Sequence, residues 1–355
     1  LAAPPRAIKI AVYPGDGIGK EVTAVTFRLL DQLQRRHGFA LDCTWYDWGC
    51  DYYDKHGKVV PDDFLDVLRP YDAIFLGAVG FPSRVPDNET LQPLIDMRQG
   101  FDQYVCLRPA RTFPGVRTPL AAQPELDLFV IRENSEGEYV SSGGRFKRGT
   151  PDEVATQTAV HTRKGVERIL RFALQSARER PRKRLCMATK SNAQKYSMVM
   201  WDDILDELRP EFADVAVTRE HIDALAMKLV LAPQDFDVIV GSNLWGDIIT
   251  DLTGAITGGL GLNPSCNLCP ERTFPSLFEP VHGSAPDIAG RGIANPTAAM
   301  LSACMMLDWI GVDPSVAESV RAAVHACLEH GERTQDLGGS LSSDDFTAAV
   351  LARLG

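Results

Sequence analysis

Short apolar runs rich in β-branched and aromatic residues alternate along this chain with segments whose apolar residues recur every three or four positions. Few architectures accommodate that alternation. Ile8–Val12, Ala73–Leu76, Leu126–Ile131, Leu185–Ala188 and Phe236–Val240 read as strands. Several carry no polar alternate, as expected of strands covered on both faces. Val22–Leu33, Thr162–Ala177, Met198–Leu208 and Ala224–Leu231 read as helices between them. The order strand, helix, strand predicts an α/β layered fold. The tail is helical, over Thr297–Trp309, Ser315–Leu328 and Asp344–Leu354, with Ser343 as the expected N-cap of the last helix. Met300, Met305 and Met306 read as core filling.

Length and charge narrow the functional classes. A chain of 355 residues has room for about two domains. A net charge of −10 argues against a nucleic-acid partner, which requires a basic footprint. The one basic run, Arg180-Pro-Arg-Lys-Arg184, reads as a solvated helix end. No apolar stretch approaches the roughly 18 residues of a membrane span. The leading Leu-Ala-Ala-Pro-Pro-Arg has no apolar segment of signal-peptide type. Eight cysteines in so long a chain do not make a disulfide scaffold, and the single C-x-x-C, Cys266 and Cys269, has no second pair at zinc spacing. A cytoplasmic protein with free thiols is expected.

"YPGDGIGKEV", residues 13 to 22, is the most conspicuous glycine pattern. Gly15, Gly17 and Gly19 follow a strand and open a helix, as in a dinucleotide fingerprint. That fingerprint spaces its glycines G-x-G-x-x-G, with an acid about 20 positions on. Here the third glycine comes one position early. Asp42 stands near the required distance, but Glu21 would face a pyrophosphate with like charge. A dinucleotide site and a simple strand-to-helix turn both remain open on spacing alone.

"GSNLWGDIITDL", residues 241 to 252, places Asp247 and Asp251 at i, i+4, on one face of a helix starting near Gly246. A divalent cation between them would turn like-charge repulsion into attraction, and oxygen-only ligands favour Mg2+ or Mn2+. Asp223 would complete such a set if the fold brings it near. Arg98, Arg108 and Arg132 stand beside predicted element edges rather than in charged runs. A guanidinium fork suits a carboxylate. "YVSSGGRFKRG", residues 139 to 149, is polar and glycine-rich, either a protruding hairpin or a surface loop.

Taken together these blocks resemble the β-decarboxylating dehydrogenases of 2-hydroxy acids, the family of isopropylmalate, isocitrate, homoisocitrate, tartrate and D-malate dehydrogenases. The likeness runs from "GDGIGKEV" to "TQDLGG" at 334–339. It takes in "GAVG" at 77–80, "LRPAR" at 107–111, "IRENSEGEY" at 131–139, "ATKSN" at 188–192, "SNLWGDIITDL" at 242–252 and "EPVHGSAPDIAGRGIANP" at 279–296. The resemblance implies an α/β, isopropylmalate-dehydrogenase-like two-domain fold that is not a Rossmann fold. A large cofactor-binding domain would combine 1–104 with 259–355. The middle, 105–258, would form a smaller domain carrying the dimer interface and, about 139–158, an arm that clasps a second subunit.

The resemblance also implies the chemistry. NAD would lie on the later loop, held by His282, Gly283, Ser284, Ala285, Asp287 and Asn295, with the 15–19 loop alongside. Asp287 can accept from both ribose hydroxyls and would repel a 2′-phosphate. Asp247 and Asp251, with Asp223 of the other subunit, would bind Mg2+ or Mn2+. Lys190, also from the partner, would be the base and Tyr139 the acid. Arg98, Arg108 and Arg132 would orient carboxylates, and Asn192 would position substrate or cofactor. Residues 88 to 96, "NETLQPLID", correspond to the wall that meets the C3 substituent. They lack the serine typical of isocitrate enzymes, and Leu94 and Ile95, with Leu91, offer an apolar surface. "DWGCDYYDKHG" at 47–57, "VPD" at 85–87 and "GFDQY" at 100–104 favour the tartrate and D-malate branch, which also suggests K+. The expected activity is NAD-dependent oxidation and decarboxylation of D-malate, tartrate or both. The alternatives are a 3-isopropylmalate dehydrogenase and, in another class, a non-catalytic regulatory subunit.

Overall fold

The computed structural model describes residues 7–354. The leading segment read for a signal sequence lies outside them. The chain divides into two compact units. One takes the chain up to Gln103, Arg108–Leu126 and the chain from Gly254 on; the other takes Tyr104–Leu107 and Asp127–Thr253. The strands, in chain order, are β1 (Ile8–Gly15), β2 (Leu41–Trp45), β3 (Ala73–Ala78), β4 (Val105–Arg111), β5 (Asp127–Glu133), β6 (Gly143–Phe146), β7 (Val154–Gln157), β8 (Arg184–Thr189), β9 (Ala216–His221), β10 (Val238–Gly241), β11 (Pro264–Leu268) and β12 (Ser276–Pro280).

The first unit is built from both ends of the chain. β1 pairs in parallel with β2 and β3, β3 with β12, and β12 runs antiparallel to β11, giving the order β2-β1-β3-β12-β11. β3 is buried at every position, which explains its unbroken apolar sequence. The helix Ile18–His37 packs on β1 and β3 through Val22, Val25, Leu29, Leu30 and Leu33. Each fully buried leucine of that face contributes about 2 kcal/mol. Gly38, left-handed at φ 71°, ends the helix. Beside the sheet, Trp48 stacks on Tyr46 at 4.3 Å and meets Tyr13 and Phe64 edge-on.

The stretch 108–126, expected in the middle domain, groups with this first unit. Leu126 N donates to Thr112 Oγ1 (2.9 Å), closing the stretch on itself. Gly115 lies so near Arg333 that a Cβ there would come within 2.2 Å of a guanidinium nitrogen. The final helix is Ser343–Arg353, but its cap is Ser342, whose hydroxyl accepts from Asp345 N (3.0 Å). Ser343, expected as the cap, instead donates to Ala294 O (2.5 Å).

The second unit is a parallel sheet in the order β5-β10-β8-β9. The helix Arg163–Glu179 covers β5, β10 and β8 with Val166, Ile169, Leu170, Ala173 and Leu174, spaced on one face. Thr162 caps it, accepting from Gly165 N (3.0 Å). β6 and β7 form a separate antiparallel hairpin in which all eight residues are exposed. The basic run is not merely solvated. Arg180 pairs with the buried Asp237 (2.5 Å), Arg182 donates to the carbonyls of Gln234 and Phe236, and Lys183 pairs with Asp214. Among the described residues, no helix is long and apolar enough to cross a membrane. All eight cysteines are free thiols, and Cys266 and Cys269 are buried.

Candidate active site

In the second unit, β5 delivers Arg132, which is 1% exposed, and β10 leads into the helix Asn243–Ile256. That helix passes so close to the strand that a Cβ on Gly246 would lie 2.6 Å from Arg132 Cβ, so only glycine fits there. The close approach lets Asn243 and Asp247, one turn apart, both reach Arg132. Asn243 Oδ1 accepts from Arg132 Nε (3.0 Å) and Nη2 (2.7 Å), and Arg132 Nη1 pairs with Asp247. The other Asp247 oxygen accepts from the Tyr139 hydroxyl (2.8 Å). The guanidinium also stands 5.2 Å from the centre of the Tyr139 ring, a cation–π contact. Arg132, Tyr139 and Asp247 are therefore one cluster.

Two residues of this cluster escaped the sequence reading. Asn243 orients Arg132 and donates to Glu136 O (2.8 Å). Glu136 accepts from the amide and hydroxyl of Thr162 at the start of the Arg163–Glu179 helix. Asn243 stood inside a block already singled out for its aspartates. Glu136 left no signal beyond its place in "IRENSEGEY".

A second cluster forms where β8 ends beside β9. Register pairs Thr189 with His221, which sets Lys190 next to Asp223 on the first turn of the helix Ile222–Leu231. Lys190 Nζ lies 2.6 Å from Asp223 Oδ1. That hydrogen bond, with help from backbone amides at the helix start, holds the Asp223 carboxyl below the usual carboxylate range. Asp251 is exposed on the same helix as Asp247. Asn192 is exposed in the turn after β8. Among the described residues, no three His, Cys, Asp or Glu side chains stand together as a metal site, so one copy of the chain does not bring Asp223 to Asp247 and Asp251.

In the first unit, Arg98 and Arg108 are buried, at 5% and 8% exposure. Arg98 Nη2 reaches Glu279 Oε1 at 3.3 Å, an oxygen that also accepts from Asn267 (2.7 Å). Arg98 Nε is buried without a hydrogen-bond partner among the described residues, a donor available to an incoming oxygen. Arg108 Nε faces Ser265 Oγ at 3.4 Å. The expected wall residues, on and just before the helix Gln92–Gly100, differ in burial. Leu94 packs into the core with Met97 and Phe101, so it does not form a surface. Leu91 (39% exposed) and the half-buried Ile95 lie on the Arg98 side, at i, i+4 and i+7.

The loop from His282 to Asn295 belongs to the same unit. His282 Nδ1 lies 2.9 Å from Gly283 O; a carbonyl only accepts, so Nδ1 carries the proton. Nε2 is then a lone-pair acceptor, buried and without a partner among the described residues. Desolvation pushes the His282 pKa down, keeping it neutral. Ala285 adopts φ 38°, rare for a residue with a Cβ. Gly283 and Asp287 are exposed and Ser284 is buried. Asn295 accepts from Thr297 N and donates to Asp336, each at 3.0 Å. Its side chain is committed to the start of the helix Thr297–Ile310.

The comparisons with known proteins agree on one family. The profile described as "Isocitrate/isopropylmalate dehydrogenase" matches residues 9–350. The D-malate dehydrogenase [decarboxylating] of Escherichia coli (strain K12) is 48% identical over 97% of this chain and 98% of its own. The tartrate dehydrogenase/decarboxylase of Pseudomonas putida is 45% identical over 99% of this chain and its full length. Among solved structures, isocitrate dehydrogenase from Methylococcus capsulatus superposes with a TM-score of 0.89 at 34% identity, over 98% of this chain and 99% of that one.

Proposed function

The chain belongs to the isocitrate/isopropylmalate dehydrogenase family, and from that premise we propose that it oxidises and decarboxylates a small 2-hydroxy dicarboxylate, D-malate or tartrate, with NAD and a divalent cation. The observation that carries the reading is near-full-length identity of 45% and 48% to a tartrate and a D-malate dehydrogenase.

The residues present suit both groups. Asp247 and Asp251 offer hard oxygen donors one helical turn apart, and Asp223 of a second copy supplies the third. When bound, Mg2+ or Mn2+ supplies Lewis acidity toward the C2 hydroxyl oxygen and the charge that builds there. NAD supplies the hydride acceptor. The His282 acceptor suits an amino group on an adenine edge, and the exposed Asp287 suits ribose hydroxyls and disfavours a 2′-phosphate.

The chain's own groups do the remaining work. Arg98, Arg108 and Arg132 hold the substrate carboxylates, Arg132 with its plane set by Asn243. Lys190 of the second copy takes the hydroxyl proton, directly or through a water. Tyr139, whose hydroxyl donates to Asp247, protonates carbon after CO2 leaves. Leu91 and Ile95 form the wall met by the C3 substituent.

Sharing the site between two copies draws support from surface features. On the helix Ile222–Leu231, Met227, Val230 and Leu231 are 56%, 49% and 72% exposed at i, i+3 and i+4, an apolar stripe a lone chain leaves wet. The β6/β7 hairpin exposes Phe146 opposite Val154, and isolated hairpins are marginal without a partner. Eight free thiols, seven of them buried, fit a reducing cytoplasm.

The test is a substrate panel with NAD, Mn2+ and K+, offering D-malate, the tartrate stereoisomers, 3-isopropylmalate and isocitrate, and measuring NADH and CO2 separately. D-malate should turn over best, and chelation should abolish NADH production until Mn2+ is restored. Preference for 3-isopropylmalate overturns the branch; NADH formation indifferent to chelation overturns the metal.

A further inference from the structure

The loop His282–Asn295 contains no helix or strand; two turns of its own, Ile288 N to Ala285 O (3.1 Å) and Arg291 N to Ile288 O (3.3 Å), leave the rest of its shape to what fastens it from outside. Ile18 N donates to Ser284 O (2.8 Å), Ser343 N to Gly292 O (2.9 Å) and Ser343 Oγ to Ala294 O (2.5 Å). Those three bonds hold carbonyls. Two amides at the loop's far turn, those of Gly290 and Gly292, are held by one side chain. Glu21, on the first turn of the Ile18–His37 helix, accepts from Gly290 N with one carboxylate oxygen and from Gly292 N (3.1 Å) with the other. Gly290 and Gly292 are left-handed, at φ 76° and 65°, with Arg291 between them, and both amides converge on the one anion.

We propose that Glu21 is a positioning residue for cofactor binding: its carboxylate, chelated by the Gly290 and Gly292 amides, holds the 283–292 backbone in the form that receives NAD. The proposal rests on the reading of this loop as the NAD site. It gives the 13–22 glycine turn a part that neither sequence alternative contained. The turn approaches closely enough that a Cβ on Gly17 would lie 2.0 Å from Ser284 O. That contact places Glu21, one helical turn later, under the loop. A carboxylate that would repel a pyrophosphate is engaged instead by two backbone donors. Only a carboxylate offers an acceptor to each amide; a glutamine turns one of its two positions into a donor that faces an N–H.

Glu21→Gln is the test, with Glu21→Asp as a second variant that keeps the charge and shortens the reach. Apparent KM for NAD and the Kd for NADH, read by its fluorescence, should rise about tenfold in Glu21→Gln, which corresponds to about 1.4 kcal/mol. Turnover at saturating NAD and KM for the hydroxy acid should stay within about twofold of the parent. Glu21→Asp should fall between the two. Amide hydrogen exchange at Gly290 and Gly292 should accelerate selectively. Unchanged NADH affinity with unchanged exchange overturns the proposal. So does a parallel loss of turnover and of affinity for both substrates, the mark of a general structural role. If the parent chain does not bind NADH, the reading of the loop as an NAD site fails. That failure is recognisable because exchange at Gly290 and Gly292 still responds to Glu21→Gln.

Discussion

Asn243 commits every polar atom of its side chain to placing other groups: two bonds from Arg132 arrive at its oxygen, and its amide nitrogen holds the Glu136 carbonyl. Nothing local in the sequence marks it. Its partners lie more than a hundred positions away, and such pairings are a property of the fold. The aspartates beside it were legible because their i, i+4 spacing is local. His161 shows a second kind of concealed residue. Its Nδ1 accepts from Trp201 Nε1 (3.2 Å), which requires that nitrogen to be unprotonated, and desolvation lowers its pKa. The unfolded chain therefore takes up a proton near pH 6.5, before the folded one does. Stability is full above that pH and falls as the medium is acidified toward the depressed folded value, by at most about 1.4 kcal/mol per pH unit. His282 adds to the loss with the same sign. Urea titrations between about pH 7.5 and pH 5 should show the decline. His161→Asn, which keeps an acceptor near Trp201, should make it shallower. An equally steep decline in that variant would assign the effect elsewhere.

At the scale of elements, strands covered on both faces were easy to recognise, since continuous apolar runs have few other uses. β11 was not. Its sequence, Pro-Ser-Cys-Asn-Leu, is poor in strand formers, yet all five positions are buried. Asn267 is there to hold Glu279, and Ser265 faces Arg108. Polar residues were retained for contacts made across the unit, and periodicity cannot report those. The basic run after the Arg163–Glu179 helix misled for the opposite reason, since charge usually marks a wet surface. Here Asp237, 1% exposed, is neutralised by Arg180, itself only 11% exposed in its side chain. Arg180→Ala strands that carboxylate, and unfolding free energy should drop by about 3 kcal/mol. Adding Asp237→Asn should recover part of the loss. Additive losses in the double variant would show that the two groups do not act as a pair.

At the scale of the whole molecule, the acids expected at one cation do not meet within one copy of the chain, so assembly and activity should fail together. Replacing the β6/β7 hairpin, residues 143–157, by a short Gly-Ser link removes exposed residues and no core. Sedimentation should then report particles of the shortened chain's own mass, a little below the 38.9 kDa of the full chain, rather than twice that mass, with NADH production lost. A shortened chain that still sediments at twice its own mass would show that the hairpin does not hold the pair. The two-ended construction of the first unit bears on how the molecule comes into being. On a ribosome, β1, β2 and β3 emerge early, but β3 gains its other neighbour, β12, only after some two hundred further residues have been translated. The second unit, nearly continuous in sequence, can close during that interval. Until then the growing polypeptide exposes a hydrophobic strand edge, the kind of surface that holdase chaperones bind and that aggregates when they are scarce.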